Sequence, residues 1–117
     1  MAIQIADTAC VDPNAEIDDD VEIGPYCVIG PAAKIGRGTR LISHVCVLGH
    51  AVIGTHNTIH PFAVLGGDPQ DYSYQGSNTR IEIGDHNVIR EGVTINRGSE
   101  KEQGVTRVGS QNMLMAN

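Results

Sequence analysis

The sequence has no tryptophan, one phenylalanine and three tyrosines among 117 residues, so any core must be assembled from Ile, Val, Leu and Ala. Nor does it carry a basic stripe. Its 8 Lys and Arg face 14 Asp and Glu, for a formal charge of −6, which argues against a nucleic-acid or anionic-membrane partner. No apolar run approaches the length of a membrane span. The opening MAIQIADTAC has neither the basic nor the apolar region of a secretory leader. The three cysteines are odd in number and unrelated in spacing, against a disulfide framework and in favour of a reducing compartment. The expectation is a cytoplasmic protein without membrane insertion. Six acids fall between Asp12 and Glu22 and are read as a solvated rim.

What is present is a period of six. Ile5, Val11, Ile17, Ile23, Ile29, Ile35, Leu41, Val47, Ile53, Ile59 and Leu65 are aliphatic without a miss. The phase returns at Ile83, Ile89 and Ile95, and again, shifted by one residue, at Val108 and Leu114. Two residues before each runs a mostly small column, including Ala15, Val21, Cys27, Ala33, Thr39, Val45, Ala51, Asn57 and Ala63. A helix would spread residues six apart around its circumference. A long strand would not tolerate the interleaved Gly and Pro. Short strands separated by sharp corners satisfy the pattern, with three sides closing an 18-residue coil and stacked coils forming parallel sheets about 4.8 Å apart. The prediction is an all-β coil with the aliphatic and small columns inside. The Gly or Asp that often follows the aliphatic is expected to supply the positive φ of the corner.

The expected organisation is one β-helix domain over 1–117 with irregular loops near 66–80 and 97–107. The first break, GGDPQDYSYQGSNTR, is where function is expected, because a regular scaffold rarely changes its pattern without cause; the second, RGSEKEQGVTR, is read as a plain spacer loop. Leu65 and Ile83 are in phase, which leaves open whether the first break is one irregular coil or one side plus an excursion. His44, His50, His56 and His86 each stand three residues after an aliphatic. Successive ones point in different directions and cannot share one intrachain metal. They are read as solvated side chains near corners. Cys27 is read as core. Cys10 and Cys46 are read as outward, two coils apart and beyond disulfide reach.

The segments IGPYCVIGPAAKIGRGT, GGDPQDYSYQG, TRIEIGDHNVIREGVTINRG and VGSQNMLMAN resemble the UDP-N-acetylglucosamine O-acyltransferases of lipid A biosynthesis, a hexapeptide-repeat family, in its N-terminal part. The resemblance implies a left-handed parallel β-helix with three strands per coil, assembled as a homotrimer with active sites between subunits. It implies transfer of a β-hydroxyacyl group from acyl carrier protein to the 3-hydroxyl of UDP-N-acetylglucosamine. A histidine would be general base and a backbone amide would steady the oxyanion, with no cofactor and no metal required.

Residue by residue, the resemblance assigns substrate binding to Asp71, Tyr72, Ser73 and Asn96. Tyr72 and Ser73 replace a Leu-Lys pair common in the family, which removes a positive charge near a diphosphate. Asn96 stands in place of a histidine and can hydrogen-bond but not titrate. No catalytic residue is assigned within the chain, since the family's His-x-x-His segment is expected beyond Asn117. The 117 residues alone are therefore expected to lack normal acyltransferase activity. The competing reading is a non-catalytic β-helix scaffold or binding module. A metal-dependent relative of the γ-class carbonic anhydrases is a third, whose histidine pattern these residues do not follow.

Overall fold

The structure, a computed structural model, describes residues 2–67, 80–96 and 105–116. The chain is a left-handed parallel β-helix. Coil 1 holds β1 (Gln4–Ile5), β2 (Cys10–Val11) and β3 (Glu16–Ile17). Coil 2 holds β4 (Glu22–Ile23), β5 (Val28–Ile29) and β6 (Lys34–Ile35). Coil 3 holds β7 (Arg40–Leu41), β8 (Cys46–Val47) and β9 (His50–Ile53). Coil 4 holds β10 (Thr58–Ile59), β11 (Val64–Gly67) and β12 (Arg80–Ile83). Coil 5 holds β13 (Val88–Ile89), β14 (Thr94–Asn96) and β15 (Val105–Val108), and β16 (Met113–Leu114) follows. The first face stacks β1, β4, β7, β10, β13 and β16; the second stacks β2, β5, β8, β11 and β14; the third stacks β3, β6, β9, β12 and β15. Every pairing is parallel.

The two predicted columns fill the interior. Ile23, Ile29, Ile35, Leu41, Val47, Ile53, Ile59, Leu65, Ile83 and Ile89 are buried, as are Val21, Cys27, Ala33, Val45, Ala51 and Ala63 between them. Burial pushes the Cys27 thiol pKa up. Ile3 and Ile5 belong to the same columns but are 42% and 45% exposed, since β1 is the outermost strand of its sheet. Three fully buried positions among the described residues are polar, and each is satisfied. Thr39 Oγ1 donates to the Gly54 carbonyl at 2.7 Å, and Asn57 Nδ2 and Asn87 Nδ2 donate to the Gly84 and Gly109 carbonyls at 2.8 Å. Their oxygens accept the backbone N–H one coil up: Asn87 N to Asn57 Oδ1 and Asn112 N to Asn87 Oδ1, each 2.8 Å. Buried amides without such partners would each cost about 1–3 kcal/mol.

The corners differ from the prediction at most positions. Positive φ falls mainly two further on than the residue after the aliphatic, at Asp20, Tyr26, Gly38, His44, His56, Phe62, His86, Gly92 and Gln111, while Gly66, directly after Leu65, is left-handed as expected. The glycine after the aliphatic is required by close stacking instead: a Cβ on Gly54 would lie 2.6 Å from the Gly84 carbonyl oxygen in the next coil. Ring stacking offsets part of the left-handed strain. His44 sits between Tyr26 and Phe62, with centroids 5.2 and 5.0 Å away, and His56 stacks on His86 at 5.2 Å; such pairs are each worth about 0.5–1.5 kcal/mol.

The acidic rim is also more than solvated. Glu16, Asp19 and Glu22 pair with Lys34, Arg37 and Arg40 of the next coil at 3.6, 3.3 and 3.7 Å. All three pairs are exposed, so each contributes little in water, but together they neutralise stacked like charges.

Candidate binding edge

Register locates the breaks. Along the first three coils, strand partners lie 18 residues apart, as in Gln4 with Glu22 and Glu22 with Arg40. Thr58 then pairs with Val88, 30 residues on, and Val88 with Met113, 25 residues on. The coils thus contain twelve and seven additional residues. Since β11 runs to Gly67, β12 starts at Arg80, β14 ends at Asn96 and β15 starts at Val105, they belong to the stretches 68–79 and 97–104. The expected loops near 66–80 and 97–107 fall largely outside the described residues; of their ends, Gly66, Gly67, Arg80 and residues 105–107 lie in strands. Each stretch joins the end of a second-face strand to the start of a third-face strand, in successive coils. They share one edge.

Local sequence builds that edge. Gly49 and Gly66 take φ of 59° and 82°, and a side chain on Gly66 would strike the Leu48 carbonyl oxygen. The β11–β14 register shifts between Leu65 and Gly67, so Gly67 faces Asn96. A Cβ on Gly67 would sit 3.3 Å from Asn96 Oδ1; the Asn96 amide thus lies against bare backbone, half-buried. Of the predicted binding residues, Asn96 alone is described. Asp71, Tyr72 and Ser73 lie outside the described residues, in the stretch that begins immediately after Asn96's register partner.

Beside the edge, on the third face, Glu82 accepts hydrogen bonds from Arg80 Nε at 2.9 Å and Arg107 Nε at 3.1 Å. Arg80 first and Arg107 second hold its carboxyl below the usual range. Sequence reasoning missed this group, although the one-residue phase shift at Val108 contained the signal: a 25-residue step sets Arg107 opposite Glu82. The histidines separate as expected for His44 and His56, which take different corners, whereas His50 opens β9 at the binding edge and Gly49 takes the left-handed turn. Asp85, beside His56 and His86, has its pKa lowered chiefly by the Thr55 N–H, donated to Oδ1 at 2.7 Å. Among the described residues no three His, Cys, Asp or Glu side chains gather to hold a metal ion. No helix of the described residues is long and apolar enough to cross a membrane.

No protein-family model matches the chain. A curated relative, the acyl-[acyl-carrier-protein]–UDP-N-acetylglucosamine O-acyltransferase of Syntrophobacter fumaroxidans, is 47% identical over 114 residues, covering 97% of this chain and 44% of its own length. The LpxA structure of Acinetobacter baumannii superposes with a TM-score of 0.94 at 49% identity, over 97% of this chain and 44% of that one. The UDP-N-acetylglucosamine acyltransferase of Bacteroides fragilis gives a TM-score of 0.92 at 42% identity, over 96% and 44% of the two chains. The chain thus spans less than half the length of the relatives it matches. In sequence and in fold it belongs to the UDP-N-acetylglucosamine acyltransferases, corresponding to their N-terminal part.

Proposed function

We propose that the chain supplies the scaffold and the sugar-binding edge of a cytoplasmic acyltransferase of the lipid A pathway, acting on UDP-N-acetylglucosamine with acyl carrier protein as acyl donor. The supporting observation is that both additions to the 18-residue coil fall between the same two faces, in successive coils, in a chain matched over 97% of its length by a protein of that name. In this reading the sugar 3-hydroxyl oxygen attacks the thioester carbonyl of the β-hydroxyacyl donor. The new ester bond forms, the carbon–sulfur bond breaks, and the thiol leaves on the carrier. Asp71, Tyr72, Ser73 and Asn96 hydrogen-bond the sugar nucleotide. The group that takes the hydroxyl proton is placed outside these 117 residues.

The protein works as a homotrimer in this reading, with the second face as the subunit contact. From Val28 to Thr94 its outward residues, Val28, Cys46, Val64 and Thr94, carry no charge. The exposed Tyr26 and Phe62 border them, as an association surface requires.

Calorimetric titration of the 117-residue protein with UDP-N-acetylglucosamine tests the reading. Binding is expected, weakened about tenfold by Asp71→Ala or Asn96→Ala, the equivalent of one lost hydrogen bond to a polar ligand. No binding at millimolar nucleotide sugar would leave a non-catalytic scaffold as the better account.

A further inference from the structure

Arg80 and Arg107 differ from the other cations of the coil in their charge balance. Lys34 and Arg40 each face one carboxylate, Glu16 and Glu22. Glu82 is shared by two guanidinium groups, one on each carboxylate oxygen, which leaves a surplus positive charge. Each arginine engages Glu82 through Nε. Their terminal nitrogens have no partner among the described residues, and the side chains are 44% and 68% exposed. A guanidinium presents its N–H donors as a rigid planar fork, so fixing Nε on a carboxylate aims the rest of the fork outward. Two forks held by one acid make a preorganised receptor for a tetrahedral oxyanion, which arginine binds through paired hydrogen bonds.

The position matters as much as the charge. Arg80 is the first residue after the stretch 68–79, and Arg107 is the third residue of the strand that follows 97–104. Both therefore stand beside the edge where Asn96 packs on Gly67. A purely structural clasp between β12 and β15 would need only one arginine for Glu82.

We propose that Arg80 and Arg107, positioned by Glu82, form a docking site for a phosphate ester. The ligand's identity rests on the acyltransferase reading, which offers two sources of that chemistry: the diphosphate of the nucleotide sugar and the phosphodiester of the carrier's phosphopantetheine arm.

The test follows the Arg80 and Arg107 Nε–H resonances of the 117-residue protein by NMR. Inorganic pyrophosphate at millimolar concentration is expected to shift both. Arg107→Gln should weaken its binding about tenfold, the loss of one charge-assisted contact. Arg37→Gln, which removes equal charge beside Asp19 on another corner, should leave it unchanged. An equal loss in Arg37→Gln would reduce the effect to the general field and overturn the proposal. So would the absence of any shift. Displacement of pyrophosphate by UDP-N-acetylglucosamine assigns the site to the nucleotide, displacement by phosphopantetheine assigns it to the carrier arm, and displacement by neither refutes a phosphate-ester site. If Arg107→Gln binds all three probes as tightly as the parent, the proposal fails while the acyltransferase reading stands. That reading fails separately if the parent binds no UDP-N-acetylglucosamine.

Discussion

The second and third faces of the helix are built alike inside and oppositely outside. Behind both lie aliphatic side chains at the same depth: Ile29, Val47 and Leu65 on one, Ile35, Ile53 and Ile83 on the other. In front, the second face shows Val28, Cys46 and Val64, and the third shows Lys34 paired with Glu16 and Glu82 clasped by two arginines. The backbone hydrogen bonds are the same parallel ladder on each. The fold is therefore specified by the inward positions, and the outward positions are free to set what each face meets, which in the proposals above is a second copy on one side and water and anions on the other.

Placing a charge on each face gives the largest expected contrast. Val64→Glu would carry an unpaired carboxylate into the proposed subunit contact, where an uncompensated buried charge costs about 3–5 kcal/mol. We expect the trimer to fall to monomer at micromolar concentration, read as molar mass by light scattering. Val52→Glu, the corresponding change on the third face, is 38% exposed in the parent and should leave the mass unchanged. A Val64→Glu protein that stays trimeric would remove the second face as the contact.

The interior should show no such contrast. Leu65→Ala and Ile53→Ala each delete a fully buried side chain, at a cost of about 2–5 kcal/mol, and urea unfolding should place them close together. Asn87→Ala should cost less, about 1–3 kcal/mol, by leaving the Asn112 N–H and the Gly109 carbonyl without their partner. A large gap between the two aliphatic variants would mean that the faces differ inside as well as out.

The interior is legible because its period is set by stacking, and stacking admits few side-chain sizes; even Asn57 and Asn87 fall in the inward column. The corners were misjudged because glycine has two uses. Gly24 and Gly54 answer to the backbone one coil away, a contact that no local spacing displays, while the left-handed corner residues include Tyr26 and Phe62, bulky side chains that propensity would not select. The ion pairs of the acidic rim were present as a spacing of 18 between Glu16 and Lys34 but were read as charge density alone. At the candidate edge, Asn96 is named only through resemblance. The arginine pair was hidden, because its register depends on how many extra residues each coil carries, and that number has no period.

The smallest effect separates the clasp on the third face from ordinary surface charge. Hydrogen bonds from Arg80, and then Arg107, favour the ionised form of Glu82 and lower its pKa. A carboxylate depressed on folding adds stability above its unfolded value, near 4.3 for glutamate, and loses that contribution as pH falls through the folded value. The parent should thus melt slightly above Glu82→Gln at pH 7, with the gap closing as pH falls below about 4, and closing also in high salt because all three side chains are exposed. The gap is expected to be small, since exposed ion pairs give up most of their attraction to water. A gap that widened on acidification would mean that Glu82 is held in its protonated form, and the two arginines would then lack the shared anion that aligns them.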